Sequence, residues 1–232
     1  MLRSGIDELD ELIGGGLRED ANILVMGPPG QEKVLFALQF INEGLTIRQP
    51  CAYITTDSAP AELESKAAEF GWNFPKFAGN GLWFVDCYSW ALGSKSAQRK
   101  DIMVPGPSAL NDLSIGLAQA LQEAYKPALK SRVVFQSLST LLLYNNPDIV
   151  FRFTQVMGAR LKSAQATTLF LLDTGMHDER VLVTLKHLMD SIIEMKFENN
   201  KWYMSAPLSG LTEWVPFQTT KKGLEILRLL GR

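Results

Sequence analysis

The chain has 232 residues, 46% of them hydrophobic, and a formal net charge of −2 at pH 7. This length suits one sizeable α/β domain, and we predict that residues 1–232 form a single domain. The near balance of charge argues against the strongly basic surface that nucleic-acid-binding proteins present, so a nucleic-acid partner is not expected.

The sequence indicates a cytoplasmic protein with no membrane association. No apolar run reaches the roughly 20 residues that a transmembrane helix needs, and the first residues lack the apolar segment of a signal peptide. Cys51 and Cys87 are the only cysteines, and both lie beside apolar runs. We predict two free, buried thiols instead of a disulfide.

The N-terminal segment predicts a short helix that ends in a glycine turn. Ser4 is a candidate N-cap because its hydroxyl can accept a hydrogen bond from the first helical turn. Apolar residues then recur at helical spacing until three consecutive glycines, residues 14–16, end the pattern.

Five apolar runs predict buried strands, and helical patterns alternate with them. The predicted strands are residues 22–26, 51–55, 82–85, 132–135 and 167–172. The predicted helices are residues 34–43 closed by Gly44, residues 60–70 with Pro60 in the first turn, residues 108–125, a helix capped by Asn146 and Pro147, and residues 181–189 with Asp178 as N-cap. Crossovers of this length are right-handed and make the strands parallel. The pattern therefore predicts a doubly wound, mostly parallel α/β sheet flanked by helices.

Two regions depart from this alternation. Residues 87–107 hold Lys95, Arg99 and Lys100 and predict a long surface loop, either a mobile contact for a partner or ligand or a solvated insertion. From residue 191 the tail predicts a small antiparallel hairpin, residues 192–197 and 202–204, and then a final helix over residues 224–230. The aromatic residues Trp202, Tyr203 and Trp214 either pack in this tail or mark an interface.

A phosphate-binding loop is the clearest motif in the chain. Its pattern, G-x-x-x-x-G-K-[ST], is matched by Gly27 and Lys33, whereas Glu32 replaces the second glycine and Val34 the hydroxyl residue. Such loops direct backbone N–H groups at anionic oxygens, and the Ser/Thr hydroxyl ligates Mg²⁺. Glu32 adds bulk and negative charge, and Val34 offers no oxygen. The candidate loop residues are Gly27, Pro28, Pro29, Gly30, Gln31, Glu32, Lys33 and Val34.

Other candidate site residues follow the predicted strands, because ligands of doubly wound sheets bind at the carboxyl ends of strands. Asp57 and Ser58 follow the second strand, Gln136 ends the fourth, and Asp173 ends the fifth. Asp173 with His177 and Asp178 could form a metal or acid/base cluster, although Asp178 is better explained as a helix cap. No Cys/His set has the spacing of a metal site, so no metal is expected.

The chain resembles the archaeal KaiC-like branch of the RecA superfamily of ATPases over nearly its whole length, most specifically in its N-terminal half. The resemblance is carried by Ser4-Gly5-Ile6-Asp7-Glu8-Leu9, Gly14-Gly15-Gly16-Leu17, Gly27-Pro28-Pro29-Gly30, Leu35-Phe36-Ala37-Leu38-Gln39-Phe40, Glu43-Gly44-Leu45, Phe70-Gly71-Trp72, Ser137-Leu138-Ser139 and Leu141-Leu142-Leu143. It implies a RecA-like fold and a nucleotide site at the loop.

Most of the catalytic residues that the resemblance implies are replaced. Gln31, Glu32 and Val34 stand where the family has Thr, Gly and Thr. Gln136 stands where an Asp would position Mg²⁺, and the segment Asp57-Ser58 where a Glu pair would orient the attacking water. Residues 206–210 lack the Arg of the family's late Lys-x-Arg-Gly segment.

These departures give three hypotheses. The first is a catalytically defective pseudo-ATPase that acts in signalling or assembly through contacts with a protein partner or a second copy, and that needs no cofactor. The second is an ATP binder with little or no hydrolysis and no well-formed Mg²⁺ site, in which Asp57 or Asp173 supplies a carboxylate. The third is a DNA recombination or repair accessory protein, for which no basic stripe is seen. Lys33 is either a phosphate ligand or an internal ion-pair partner of Glu32 or of another carboxylate, and pairing with Glu32 in the anion site would mean that the site blocks itself.

Overall fold

One sheet organises the computed structural model, which describes residues 1–92, 100–124 and 130–227. The strands of these described residues are β1 Asn22–Gly27, β2 Cys51–Thr55, β3 Leu82–Asp86, β4 Ile102–Met103, β5 Ser131–Gln136, β6 Ala166–Asp173, β7 Ser191–Glu198, β8 Lys201–Ala206, β9 Leu211–Thr220 and β10 Gly223–Ile226. They hydrogen-bond in the order β10-β9-β8-β7-β1-β6-β5-β2-β3-β4.

The sheet has a parallel part and an antiparallel part. Strands β7, β1, β6, β5, β2, β3 and β4 run parallel, with β1 between β6 and β7. From β7 the sheet continues antiparallel through β8, β9 and β10. In register, Gly27 at the end of β1 lies beside Asp173 at the end of β6. The first residues of the phosphate loop and one candidate carboxylate are thus neighbours.

Helices cover both faces of the parallel part. They are α1 Asp7–Leu12, α2 Glu32–Thr46, α3 Pro60–Glu69, α4 Leu110–Ala124, α5 Leu138–Tyr144, α6 Pro147–Ser163 and α7 Glu179–His187. One apolar core packs α1, α2 and α3 against the sheet, and a second packs α4 to α7 against the other face. Alternate side chains of a strand point to opposite faces of the sheet. Because helices cover both faces, β1 is buried along its whole length. The predicted doubly wound fold is confirmed, and so are the free, buried thiols of Cys51 and Cys87.

Two predicted helix ends were wrong. α1 begins at Asp7 with Ile6 at its N-cap position, and Ser4 does not cap it, because the Ser4 hydroxyl accepts from the N–H of Ile6 at 3.1 Å and not from a helical N–H. Gly44 lies inside α2, which continues to Thr46. A Cβ on Gly44 would come within 2.5 Å of Cδ of Arg132, so this glycine permits close packing instead of ending the helix.

The tail was predicted only in part. The hairpin is present as β7 and β8, but β9 and β10 extend it, and residues 223–226 form β10 where a helix was predicted. Residues 228–232 lie outside the described part of the chain. Burial of Leu224 and Ile226 on one side of Glu225 shows the alternation of a strand, which the helical interpretation overlooked.

The segment over residues 87–107 contains regular structure where a surface loop was predicted. Residues Ser89–Leu92 form a 3₁₀ turn, and Ile102–Met103 form the edge strand β4. Lys95 and Arg99 lie outside the described residues. Across residues 1–92, 100–124 and 130–227, no helix has both the length and the apolar character that crossing a membrane requires.

Candidate functional site

Lys33 forms an ion pair inside the protein. The loop joins β1 to α2, and Lys33 lies in the first turn of that helix with only 4% of its surface exposed. Its Nζ lies 3.0 Å from Oδ1 of Asp173 and also donates to the carbonyl oxygen of Pro28. Of the two alternatives for Lys33, the structure shows the internal ion pair, and the carboxylate is Asp173 and not Glu32. The register of β1 with β6 is what brings Asp173 to this point.

Glu32 folds back over the loop. A Cβ placed on Gly30 would lie 2.7 Å from Oε2 of Glu32 and 3.7 Å from Cη2 of Trp202. The carboxylate and the indole edge therefore lie beside Gly30, which is itself exposed to solvent. Val34, two positions after Glu32 in α2, packs against the apolar core. The loop thus presents a carboxylate and a methyl-bearing side chain where phosphate and Mg²⁺ would need donors and oxygen ligands.

Gln136 is held by a buried tyrosine. It ends β5 with 4% of its surface exposed, and its Oε1 accepts a hydrogen bond of 2.5 Å from the Tyr53 hydroxyl. Burial, with a smaller effect of Asp57, raises the pKa of Tyr53 well above its ordinary value, so this hydroxyl stays protonated and donates. The neutral amide oxygen of Gln136 suits this neutral donor.

Helix α5, which the sequence did not predict, positions the end of β2. The Thr140 hydroxyl on α5 donates to Oδ1 of Asp57, and the Ser137 N–H donates to Oγ1 of Thr56 at 2.9 Å. The hydroxyl of Ser139 accepts from the N–H of Asp173 at 2.8 Å. Asp57 itself is exposed to solvent. The turn that follows β5 therefore links the ends of β2, β5 and β6.

A pocket of about 280 Å³ opens beside the loop. Its lining combines five sequence-predicted residues with three from α3: Gly30, Gln31, Val34, Ser58, Gln136, Glu62, Leu63 and Lys66. Burial lowers the pKa of Lys66, and the charges of Glu32 and Glu69 act in the opposite direction. Lys66 was missed by the sequence reasoning, although its place one helix after the second strand end was a usable signal.

The proposed cluster around His177 does not form a metal site. Burial lowers the pKa of His177 although Asp173 and Asp178 raise it, and its Nε2 is buried without a hydrogen-bond partner among the described residues. Asp178 occupies the N-cap position of α7 but makes no side-chain capping bond. Nowhere in the described ranges do three or more His, Cys, Asp or Glu residues come together as a metal site.

The whole chain, with this site, is similar to known proteins. A family model described as "ATPase: KaiC" matches residues 2–227, which is most of the chain. The chain belongs to the KaiC family of ATPases. The resemblance to the archaeal KaiC-like branch of the RecA superfamily is thereby confirmed.

Three relatives of this KaiC-family chain are similar to it over nine-tenths or more of their length. A UPF0273 protein of Thermotoga maritima is 26% identical over 97% of this chain and 95% of its own. A UPF0273 protein of Methanopyrus kandleri is 25% identical over 96% of this chain and 90% of its own. The crystal structure of the KaiC-like protein PH0186 from Pyrococcus horikoshii has a TM-score of 0.76 at 20% identity, covering 97% of this chain and 98% of that one. The last likeness supports the RecA-like fold.

Proposed function

We propose that this KaiC-family chain is a pseudo-ATPase, which does not hydrolyse ATP and acts through contacts with other proteins. The observation that carries the proposal is the ion pair between Lys33 and Asp173. In a working phosphate loop the lysine is free to meet the phosphates. Here its charge is already matched by a carboxylate, and two of its three N–H donors are directed at Asp173 and Pro28.

The charges around the loop also oppose a nucleotide. A triphosphate arriving at the loop would meet the carboxylate of Glu32 over Gly30 and that of Asp173 beside Lys33. Phosphoryl transfer depends on positioning and on neutralising charge, with Mg²⁺ as a main contributor. Val34 and Gln136 offer no anionic or hydroxyl ligand for that ion. Each missing contribution of about 3 kcal/mol lowers the rate more than a hundredfold, so their joint loss leaves a rate near background.

Exposed apolar side chains support a role in protein contacts. Leu143 and Tyr144 at the end of α5 are each 63% exposed, and Ile149 at the start of the adjoining α6 is 53% exposed. Large apolar residues grouped on a surface are typical of interaction sites. They lie on elements next to the turn that links the ends of β2, β5 and β6.

The proposal is tested by measuring ATP turnover and thermal unfolding of the full chain. We expect no turnover above a no-enzyme control. We also expect the Tm with MgATP, and with ATP plus EDTA, to equal the Tm of the ligand-free chain. Binding at a hundredfold excess over Kd would stabilise the fold by about 2.7 kcal/mol, which such an assay detects readily. Mg²⁺-dependent turnover that Lys33→Ala abolishes would contradict the proposal.

A second candidate function is nucleotide binding without hydrolysis, and Lys66 is the observation that favours it. This lysine and the amides of Gln31 and Gln136 line the 280 Å³ pocket, so a phosphate could be held there without Lys33 or Mg²⁺. In that case ATP plus EDTA would raise Tm, and Lys66→Ala would remove the rise while Lys201→Ala, on the exposed start of β8, would not.

A further inference from the structure

A second pocket lies at the opposite end of the sheet from the phosphate loop. It has a volume of about 250 Å³ and lies between the end of α2 and the turn that enters β3. Its polar lining consists of Arg48, Gln49, Lys76 and Asn80, and we call it the Arg48 pocket. Because β1, β2 and β3 are parallel, the start of β3 and the end of β1 lie at different edges of the sheet. No residue lines both pockets.

The charged side chains that line the Arg48 pocket are both positive. Arg48 and Lys76 are cationic, Gln49 and Asn80 carry amide donors, and no carboxylate is among the lining residues. The pocket beside the phosphate loop contrasts with it, since Glu62 opposes Lys66 there. A concave site with two cations and two amides favours an anionic group, because guanidinium and ammonium groups form charge-assisted hydrogen bonds with carboxylates and phosphates.

The rest of the lining is apolar and partly aromatic. Leu45 is buried, and the ring of Phe77 forms part of the wall next to Gly81. A Cβ on Gly81 would lie 3.6 Å from Cδ1 of Phe77 and 3.8 Å from Cδ2 of Leu45, so these side chains close around the glycine. An anion with an apolar or aromatic part can therefore place that part against Phe77 while its charged group meets the cations.

A buried arginine holds one polar residue of the pocket in place. Arg132 is fully buried, and its Nε donates to Oε1 of Gln49 at 2.7 Å. Its Nη1 donates to the carbonyl oxygens of Arg3 at 2.7 Å and Phe40 at 3.0 Å, which fixes the guanidinium. With the oxygen of Gln49 occupied, its amide nitrogen is left to donate. Such a donor, fixed before a ligand arrives, lowers the entropy lost on binding.

We propose that the Arg48 pocket binds a small organic anion, in which a phosphate or carboxylate group is joined to an aromatic or apolar part. The anionic group pairs with Arg48 and Lys76 and accepts from the amide of Gln49. The apolar part packs on Phe77 and Leu45. This site is independent of the proposed loss of ATP hydrolysis, because it shares no residue with the phosphate loop.

The test is a titration of the ¹⁵N-labelled full chain, followed by the NMR shifts of its backbone amides. The probes are phenyl phosphate, benzoate, inorganic phosphate and the neutral benzyl alcohol. We expect phenyl phosphate or benzoate to shift the amides of Asn80 and Gly81 along a saturable curve with a Kd of about 1 mM, typical of a small ligand. Inorganic phosphate is expected to bind more weakly because it lacks the apolar part, and benzyl alcohol not to bind. The better of the two aromatic anions identifies the charged group.

Two variants separate a built site from general electrostatic attraction. Arg48→Ser with Lys76→Ser is expected to raise Kd at least tenfold, because charge-assisted hydrogen bonds are lost. The control pair, Lys201→Ser with Lys221→Ser, removes the same charge from exposed positions in another part of the sheet and is expected to leave Kd within twofold. Gln49→Glu keeps a partner for Arg132, and hence the fold, while placing a carboxylate in the pocket. It is expected to abolish binding.

Three outcomes would overturn the proposal. One is the absence of saturable shifts at Asn80 and Gly81 with either aromatic anion. Another is an equal rise in Kd for the control pair, which would show unspecific attraction. The last is a set of shifts confined to residues 27–34, which would contradict the proposal and at the same time favour anion binding at the phosphate loop.

Discussion

Nζ of Lys33 lies 3.0 Å from Oδ1 of Asp173, and this pair joins the phosphate loop to the end of the neighbouring strand β6. The lysine is buried, whereas the aspartate side chain is 23% exposed. Burying an ammonium group without a partner is costly, so the loop is stabilised by the contact that keeps its cation from a phosphate. The conformation of the loop therefore depends on the same ion pair that keeps the Lys33 charge from binding a phosphate.

Asp173→Asn is predicted to destabilise the fold and to release Lys33. The amide keeps the shape of the side chain but not its charge, and the buried ammonium then depends on the carbonyl of Pro28. We expect a loss of about 1–3 kcal/mol in the free energy of unfolding, below the range for a fully buried pair because solvent reaches Asp173. Urea unfolding measures it, with Asp178→Asn as the control at a nearby exposed carboxylate.

A double variant checks that the cost comes from the unpaired charge. Lys33→Met with Asp173→Leu removes both charges and is expected to be within about 1 kcal/mol of the original chain, because apolar pairs replace buried ion pairs well. If Asp173→Asn unfolds at the same urea concentration as the original chain, the ion pair contributes nothing to stability.

The alternation of elements was predictable because burial dictates it. A continuous apolar run such as residues 82–85 must be covered on both faces, and the structure places it in the buried strand β3. The short helix α5 was not predictable in the same way. Its seven residues are too few for a periodic pattern, and it is specified by the cap in which Ser137 accepts from the N–H of Thr140.

The composition of the site was predictable, but its pairing was not. Gln136, Ser58 and the loop were expected at one edge of the sheet because parallel strands end together. The choice of Asp173 over Glu32 as the partner of Lys33 depends on the register of β1 with β6, which one sequence does not give. The hydrogen bond from Tyr53 to Gln136 likewise joins residues 83 positions apart.

Restoring the family residues is predicted to restore nucleotide binding but not hydrolysis. In an Asp173→Asn background, Glu32→Gly, Val34→Thr and Gln136→Asp would return the backbone approach, the hydroxyl and the carboxylate that Mg²⁺ uses. MgATP at a hundredfold excess over Kd should then stabilise the variant by about 2.7 kcal/mol, and EDTA should remove the effect.

Turnover is expected to stay absent in that variant, because Asp57 and Ser58 still replace the Glu pair that the resemblance implies for orienting water. The matched control adds Lys33→Ala and should lose the response to MgATP. If the variant folds but MgATP does not stabilise it, the loop conformation, and not these four side chains, prevents binding.

Stability is predicted to fall as pH rises above about 9. Burial raises the pKa of the Cys51 thiol from 9.0 to about 12, and it also raises the pKa of Cys87 and of Tyr53. Above the pKa of the unfolded chain, the unfolded thiols have lost protons that the folded protein retains, so higher pH favours unfolding. Each thiol contributes a slope approaching about 1.4 kcal/mol per pH unit. Urea unfolding at about pH 8, 9 and 10 measures this slope.

The contribution of Cys51 to that slope can be isolated. Cys51→Ala lowers stability at all pH values by creating a cavity, but it should also flatten the alkaline slope by the share of one thiol. Comparing slopes instead of absolute stabilities separates the two effects. An unchanged slope in both Cys51→Ala and Cys87→Ala would mean that these thiols ionise equally in the folded and unfolded chain.

Two adjacent buried threonines of β6 are predicted to respond in opposite ways to replacement by valine. Thr167 and Thr168 are both fully buried. Oγ1 of Thr167 accepts from the N–H of Asp20 at 3.1 Å, whereas Oγ1 of Thr168 has no hydrogen-bond partner in the described part of the chain.

Thr168→Val should raise the free energy of unfolding by about 1 kcal/mol, because it removes a hydroxyl buried without a bond. Thr167→Val should lower it by a similar amount, because it leaves the N–H of Asp20 unpaired. Urea unfolding of the two variants provides the comparison, each serving as the control for the other, and a loss of stability in both would show that the Thr168 hydroxyl is satisfied by water.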